Sequence, residues 1–206
     1  MIEIDLILEK LNVCYPDARC ELDYKSPFQL LIATILSAQA TDKSVNKLTG
    51  TLFQDYPDLD AFLELSEKEL SEKIKEIGLY KSKSKSIYRL CRILKNDYNG
   101  KVPKTLKELT NLPGVGKKTA SVVLSVAFGI PALAVDTHVF RVARRIGLTE
   151  MDTPDKVADD LMSKIEKNKW IRAHHLFIFH GRRTCKARKP DCENCIVNKE
   201  CKKIGI

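Results

Sequence analysis

Residues 112–120 read LPGVGKKTA, and the interpretation of the whole chain starts from this stretch. Gly114 and Gly116 stand on either side of one apolar residue, which allows a tight turn with exposed backbone amides. A helical pattern follows from about Lys117, so the N–H groups of its first turn point out of the turn. Such a hairpin binds phosphate without reading base sequence, although an ordinary helix–helix turn has the same pattern.

The two lysines after this turn, Lys117 and Lys118, suggest chemistry as well as binding. The N-terminus of a helix is the positive end of its dipole, where a neutral amine is favoured over an ammonium ion. A neutral lysine amine is a nucleophile that can form a Schiff base with a carbonyl carbon. Only one of the two lysines can face a given pocket, and spacing alone does not choose between them.

The rest of the chain follows a helical pattern nearly throughout. Ser26-Pro27 reads as an N-cap followed by proline at the first helical position, and apolar residues then repeat at helical spacing. Ser66 with Glu69 matches a capping box, and Thr153-Pro154 starts a further helix. No segment alternates like a strand and leads into a hairpin turn. The sequence therefore predicts an all-α protein of about ten helices.

Composition and charge point to a folded protein with a polyanionic partner. Hydrophobic residues make up 44% of the chain, which excludes a disordered chain, and no apolar run is long enough to predict a membrane span. The net charge is +8, and the excess lies in residues 73–107 (+9) and 182–206 (+5), while residues 1–72 carry −8. Nucleic acid is the natural partner of such stretches. Within the first, residues 81–86 (KSKSKS) either follow a DNA backbone or are solvated.

The N-terminal sequence, MIEIDLILEK, is acidic and has no basic segment of the kind that begins a signal peptide. We therefore expect a cytosolic protein, in which cysteines do not form a disulfide framework. Three scattered cysteines, Cys14, Cys20 and Cys91, are expected to be small buried residues.

The other four cysteines form a pattern within 17 residues, C-x6-C-x2-C-x5-C. Four thiolates this close must bind one shared metal group, because their negative charges would otherwise repel each other. Structural zinc usually takes two short Cys pairs, whereas an iron–sulfur cube spaces its thiolates more widely, and spacing leaves both open. The predicted ligands are Cys185, Cys192, Cys195 and Cys201.

Three bases lie between the first two of these cysteines, at Lys186, Arg188 and Lys189. Held on a loop that a metal group fixes, they would make a rigid phosphate contact. The alternative is that they only balance the thiolate charge nearby.

Asp136 is the acid that best suits an amine nucleophile. It follows an apolar run in residues 134–138 (AVDTH), where an aspartate is usually the N-cap of the next helix. A second role is geometrically allowed. The helix from Lys118 to Gly129 rises about 16 Å, and an extended return to Asp136 reaches at most about 20 Å. The carboxylate can therefore come back beside the start of the lysine helix and assist the amine.

Taken together, these motifs resemble the endonuclease III family, the helix-hairpin-helix DNA glycosylases of base excision repair. LPGVGKKTA, VDTHVFRV at Val135–Val142 and the cysteine spacing carry the resemblance. LSAQATD at Leu36–Asp42 and IGLYK at Ile77–Lys81 extend it to essentially the whole chain. The three main motifs in this order are highly specific.

The resemblance implies a fold of two α-helical domains with a DNA cleft between them. One is a six-helix domain, here residues 21–131, which carries the hairpin. The other joins residues 1–20 to residues 132–206. The resemblance also favours a 4Fe-4S cluster over zinc at the four cysteines.

The resemblance also implies an activity and its catalytic pair. The family's enzymes are bifunctional DNA glycosylases and AP lyases, and their substrates are damaged pyrimidines or abasic sites in double-stranded DNA. The catalytic lysine matches Lys118 and the aspartate matches Asp136. A monomeric enzyme of a prokaryotic cytoplasm, associated with the nucleoid, is expected.

The remaining implied roles are contacts with DNA. Gln39 and Leu79 match residues that fill the gap left by a flipped nucleotide, and His138 matches a residue near the lesion pocket. Periodicity alone would place Leu79 in the core, Gln39 at a polar helix end and His138 in a hydrogen-bonded helix cap. The hairpin residues implied to hold phosphate are Pro113, Gly114, Val115, Gly116 and Lys117.

Two rival functions lie close to this one. The adenine-specific mismatch glycosylases share the hairpin, the aspartate and the cysteine spacing, but usually lack a lysine at the position of Lys118 and carry a further C-terminal domain. A DNA-binding module with structural zinc would bind without cutting and would unfold on chelation.

Overall fold

A computed structural model describes residues 3–206, and all regular secondary structure in this part of the chain is helical. It contains eleven α-helices and a short 3-10 helix at Lys167–Lys169, with no strand among the described residues. The predicted all-α fold class is confirmed. In chain order the helices are α1 (Ile4–Cys14), α2 (Pro27–Leu36), α3 (Asp42–Asp55), α4 (Leu59–Glu64), α5 (Glu67–Lys73), α6 (Tyr80–Asp97), α7 (Leu106–Thr110), α8 (Lys117–Phe128), α9 (Thr137–Ile146), α10 (Pro154–Lys164) and α11 (Trp170–Arg183).

The chain divides into two compact units. The first, called the hairpin unit, is continuous and comprises Glu21–Ile130. The second, called the cysteine-loop unit, combines the described residues up to Cys20 with Pro131–Ile206.

The hairpin unit contains seven α-helices, α2 to α8, where the resemblance implied six. Residues 59–73 form two short helices, because the chain turns extended at Leu65 and Ser66 before α5 begins. Ser66 and Glu69 make the predicted capping box, with each side chain bonded to the other residue's backbone N–H. This reciprocal cap stabilises a helix of only seven residues at its start.

Helix α2 is the centre of the hairpin unit. Every residue from Phe28 to Leu36 is buried, and the helix contacts α3, α6 and α8. The Ser26 hydroxyl accepts a hydrogen bond from the Gln29 N–H, as its N-cap position predicts, and Pro27 occupies the first helical position. A helix that is apolar on all sides can only be stable when it is covered all round. The helices that carry the hairpin and the exposed loops are therefore arranged around α2.

The cysteine-loop unit packs α1 and α9 against α11. Its core includes Phe177 and Leu161, both fully buried, together with apolar residues of α1 and α9. Residues 184–206 contain no helix, so this segment must be held by other contacts. None of the helices in residues 3–206 has the length and apolar character needed to cross a bilayer.

The three scattered cysteines differ in their burial. Cys91 is buried in α6, and Cys20 is half-buried. The prediction for Cys14 is wrong, because this residue is exposed. It is the last residue of α1 and follows Val13, which is 79% exposed. The last two residues of this helix therefore lie outside the core.

His175 in α11 predicts an acid-sensitive core. Its side chain is 9% exposed, and burial, assisted by the neighbouring His174 and Arg172, lowers its pKa to about 3. In the unfolded chain a histidine titrates near its ordinary value, about 6.5. Between these two values the unfolded state binds the proton and the folded state does not. Stability therefore falls as the pH is lowered from about 6.5 towards 3.

We expect His175→Phe to make the free energy of unfolding less dependent on pH in this range. The slope of that free energy against pH should decrease by the equivalent of about one bound proton. Urea unfolding at several pH values between 7 and 4 would measure it, with the wild type as the reference. Parallel curves for the two proteins would contradict the assignment.

Candidate active site

The glycine hairpin connects α7 to α8 within the hairpin unit. The Val115 N–H donates to the Leu112 carbonyl at 3.1 Å, and both side chains are buried. Gly114 has φ +78°, and a Cβ added there would lie 2.9 Å from the Cβ of Ser86 in α6. Both the backbone conformation and the close approach therefore require glycine at this position. Pro113 is half-buried, so the exposed part of the turn is mainly backbone at Gly114 and Gly116.

The start of α8 is suited to binding an anion. Gly116 is its N-cap and, as a glycine, has no side chain that could accept a bond from the first turn. Amide groups that lack a side-chain acceptor at a helix N-terminus are available to a phosphate. Lys117 and Lys118 are both exposed in this turn. Positive charge and amide donors thus lie on the same turn of the helix.

Asp136 is the N-cap of α9, in the cysteine-loop unit. Its Oδ1 accepts hydrogen bonds from the N–H groups of His138 and Val139, each at 2.8 Å. The capping role considered from the sequence is therefore present. Both bonds go to one oxygen of a half-buried carboxylate, so Oδ2 keeps its lone pairs for other chemistry.

His138 lies in the first turn of α9 and is half-buried. Its Nδ1 is 3.3 Å from Nη2 of Arg141, and its Cβ is so close to Gly181 that a side chain there would collide. Burial lowers the pKa of His138, while the Asp136 carboxylate acts in the opposite direction. Burial thus disfavours the charged form of this imidazole, and the contacts with Arg141 and Gly181 fix its orientation.

Gln39 and Leu79 occupy two exposed positions of the hairpin unit. Gln39 has φ +56° in the loop between α2 and α3, and Leu79 has φ +62° as the residue before α6. The Leu79 side chain is 55% exposed, so the core position that periodicity favoured is wrong. A left-handed conformation costs a non-glycine residue on the order of 1 kcal/mol or more, and such strained residues are enriched at functional sites.

Residues 81–86 do not form one uniform charged surface. Lys81 and Lys85 are exposed, but Lys83 is only 5% exposed and points inward. The Lys83 side chain therefore neither contacts DNA nor lies in solvent, the two alternatives that the sequence offered. The alternation of lysine and serine hides this difference, because a helix places residue 83 on another face than residues 81 and 85.

The four cysteines of the C-terminal loop line one small pocket, with a cavity volume of about 20 Å³. No three His, Cys, Asp or Glu side chains in residues 3–206 lie close enough together to hold a single metal ion. The sulfurs thus border a space and do not converge on one point. Cys185 is buried and the other three are half-buried.

Donor groups surround these sulfurs. Arg145 Nη1 lies 3.7 Å from Sγ of Cys185, and the Lys203 N–H lies 3.4 Å from Sγ of Cys201. Burial, with the neighbouring cysteines, raises the pKa of the Cys195 and Cys201 thiols. Four thiolates would therefore be stable here only with a positively charged group between them.

The basic loop after Cys185 is fixed through its backbone. Arg145 donates to the Lys186 carbonyl at 2.7 Å and to the Ala187 carbonyl at 3.0 Å. Lys186, Arg188 and Lys189 are all exposed, and Lys189 has φ +52°. The side chains are thus directed to the surface by a loop whose path Arg145 holds.

Sequence reasoning missed two residues beside the cysteines. Arg145 is one, and His180 is the other, with its Nε2 3.7 Å from Sγ of Cys195 and its Nδ1 3.0 Å from the Tyr15 hydroxyl. Both come from helices outside the cysteine pattern, α9 and α11. Only the tertiary fold brings them to the loop, so no local signal could have identified them.

Comparison with known proteins gives the family. A family model described as HhH-GPD superfamily base excision DNA repair protein matches residues 32–167. The endonuclease III of Rickettsia conorii is 51% identical over 199 residues, which cover 96% of this chain and 94% of that protein. The chain belongs to the endonuclease III family. The endonuclease III of Bacillus subtilis is 46% identical over 201 residues, covering 97% of this chain and 92% of that protein.

Solved structures of the family agree with this assignment. A non-covalent endonuclease III–DNA complex and a trapped endonuclease III–DNA covalent intermediate each superpose with a TM-score of 0.93 at 46% identity. Each match covers 97% of this chain and 94% of the other. The family resemblance read from the sequence is confirmed.

The cap at Asp136 predicts a graded effect on stability. Asp136→Ala removes the acceptor of two amides and should lower the free energy of unfolding by about 1–2 kcal/mol. Asp136→Asn keeps an acceptor oxygen and loses only the charge at the helix N-terminus, so about 0.3–1 kcal/mol should be lost. Urea unfolding of the three proteins gives the order, and equal stability of the alanine variant and the wild type would show that the cap contributes nothing.

Proposed function

We propose that this protein removes oxidised pyrimidines from double-stranded DNA and then cuts the strand, with Lys118 as nucleophile and Asp136 as its partner. The activity is that of a bifunctional DNA glycosylase and AP lyase of base excision repair. The observation that carries it is the likeness, at a TM-score of 0.93, to an endonuclease III trapped in covalent linkage with DNA. An exposed lysine in the first turn of α8 supplies an amine suited to such a linkage.

Lys118 supports the covalent step through its position. After the damaged nucleotide is flipped out of the stack, the amine attacks C1′ and the base leaves with the electrons of the glycosidic bond. Opening of the sugar ring converts the product into a Schiff base between Nζ and C1′. Loss of a proton from C2′ then expels the 3′ phosphate by β-elimination, and water releases the enzyme.

Asp136 supports the same step through its unused oxygen. A carboxylate can take a proton from the attacking amine, or stabilise the positive charge that develops on the sugar. The two amide bonds to Oδ1 orient the carboxylate, so its other oxygen needs no further reorganisation. One residue can therefore cap α9 and act on the sugar.

The other predicted residues would hold the DNA. The amides of the hairpin and the start of α8 suit a phosphate, with Pro113 and the buried Val115 shaping the turn and Lys117 adding charge. We assign Gln39 and Leu79 to the gap left by the flipped nucleotide, since both side chains are exposed on fixed backbone. We also assign His138 to the lesion pocket. The basic loop would add backbone contacts through Lys186, Arg188 and Lys189.

The four cysteines fit a 4Fe-4S cluster. Soft thiolate donors that line one pocket without converging on a single point, together with nearby N–H groups, suit a group larger than one ion. Bound there, the cluster would supply the cross-link that a hydrophobic core supplies elsewhere. Cys185, Cys192, Cys195 and Cys201 would be its ligands, and the basic loop would be fixed by it.

Two features favour this function over adenine-specific mismatch repair. Lys118 is present, and the endonuclease III relatives are matched over more than nine-tenths of their length. We place the enzyme in a prokaryotic cytoplasm, on the nucleoid, because its endonuclease III relatives are bacterial and its proposed substrate is DNA.

The cluster predicts the colour and composition of the purified protein. We expect visible absorption, with iron and acid-labile sulfide in equal amounts. Cys195→Ser should lose most of both and unfold at a lower temperature, whereas Cys14→Ser, outside the loop, should keep both. A colourless protein with one zinc per chain would support the zinc alternative instead.

Borohydride trapping tests the nucleophile. On a duplex that contains thymine glycol, we expect the wild type and Lys117→Ala to give a covalent protein–DNA adduct. Lys118→Ala should reduce the adduct by at least about 100-fold, because successive residues of a helix point in directions about 100° apart and Lys117 therefore faces away from a pocket that Lys118 faces. An adduct that disappears only with Lys117→Ala would reverse the assignment. No adduct from a folded, DNA-binding wild type would leave a glycosylase without lyase activity.

A further inference from the structure

Lys83 is a buried ammonium group that the proposed mechanism does not use. It is the fourth residue of α6 and is 5% exposed. Burial lowers the pKa of its amine. No carboxylate among residues 3–206 forms an ion pair with it. Its Nζ donates to the carbonyls of Leu36 at 2.8 Å and Ala38 at 2.6 Å. Burying a lysine without an anion is costly, so the two carbonyl bonds must be important at this place.

These bonds fix the loop that carries Gln39. Leu36 is the last residue of α2, and the Ala38 carbonyl belongs to the peptide that leads into Gln39. The ammonium therefore caps the end of α2 and sets the orientation of that peptide. Gln39 then turns outward with φ +56°.

The same residue is joined to the segment that carries Leu79. The backbone N–H of Lys83 donates to the Leu79 carbonyl at 3.0 Å, in the first turn of α6. The two segments also approach each other at Gly78, where an added Cβ would lie 3.9 Å from the Gln39 carbonyl oxygen. The bond to Leu79 is the ordinary first-turn bond of α6, so the Lys83 side chain restrains the Gln39 loop directly and Leu79 only through the approach of the two segments at Gly78.

We propose that Lys83 is a positioning residue, which holds Gln39 and Leu79 in the arrangement that fills the gap in damaged DNA. This inference rests on the gap-filling role given to the pair under the proposed function. Strained conformations persist only where the surrounding structure determines them, and the Lys83 side chain supplies that restraint on the Gln39 side. Without it the loop would have to be ordered during binding, at a cost in affinity.

Binding to two duplexes tests this. One contains a tetrahydrofuran abasic analogue, which leaves a gap to fill, and the other is undamaged. We expect Lys83→Met to weaken binding to the abasic duplex about 10-fold and to change binding to the undamaged duplex by less than about 2-fold. Lys85→Met, an exposed control on the same helix, should affect both duplexes equally, since it can change only charge. An equal effect of Lys83→Met on the two duplexes would overturn the proposal.

A double-mutant cycle separates positioning from general stability. In a background of Gln39→Ala with Leu79→Ala, Lys83→Met should cause no further loss of abasic binding, because its effect passes through that pair. The same loss in both backgrounds would mean a structural role only. If Lys83→Met does not fold, Lys83→Gln keeps two donors without the charge and should show a smaller loss with the same dependence on the pair.

Trapping distinguishes this inference from the proposed function. On a duplex with a natural abasic site, at saturating protein, Lys83→Met should still form the borohydride adduct, since Lys118 is untouched. Failure of the wild type to form an adduct would count against the lyase function and not against Lys83. An adduct from the wild type together with unchanged abasic selectivity of Lys83→Met would overturn the positioning role alone.

Discussion

The close approach of Gly114 to α6 is the constraint on which the hairpin depends. A side chain at residue 114 would meet the Cβ of Ser86 at 2.9 Å, and the backbone there has φ +78°. Because the turn lies directly on α6, the chain enters α8 with Gly116 as N-cap, a residue that has no side chain to cover the first amides. The exposed positions of Lys117 and Lys118 follow from this entry. A turn displaced by even a methyl group would move the amides and both lysines together.

A second consequence of backbone conformation is seen in the loops. Five non-glycine residues among those described have positive φ: Gln39, Leu79, Asn99, Lys189 and Lys203. Three of these, Gln39, Leu79 and Lys189, are positions proposed to contact DNA. Each is exposed and lies beside a segment held by a buried or partly buried cation, Lys83 in one unit and Arg145 in the other. Hydrogen bonds from a cation to carbonyl oxygens can fix a loop that has no core of its own.

Local signals were sufficient to predict the all-helical fold and several of the helix starts. Ser26, Ser66 and Thr153 act within three residues of themselves, and the structure has the caps where the sequence placed them. The burial of Lys83, the exposure of Leu79 and the exposure of Cys14 could not be read in this way. Each depends on which face of a helix meets another helix, and that is decided by residues far away in the chain.

The cysteine loop shows the same division between local and tertiary information. Spacing predicts that four thiolates bind one metal group. The side chains that lie against their sulfurs, Arg145 and His180, come from α9 and α11. Asp136 begins the helix that carries Arg145, and its Oδ1 is committed to two amides of that helix. The residue proposed to assist the chemistry and the residue that holds the basic loop are thus fixed by one short helix. A change that loosens the start of α9 should therefore disturb both.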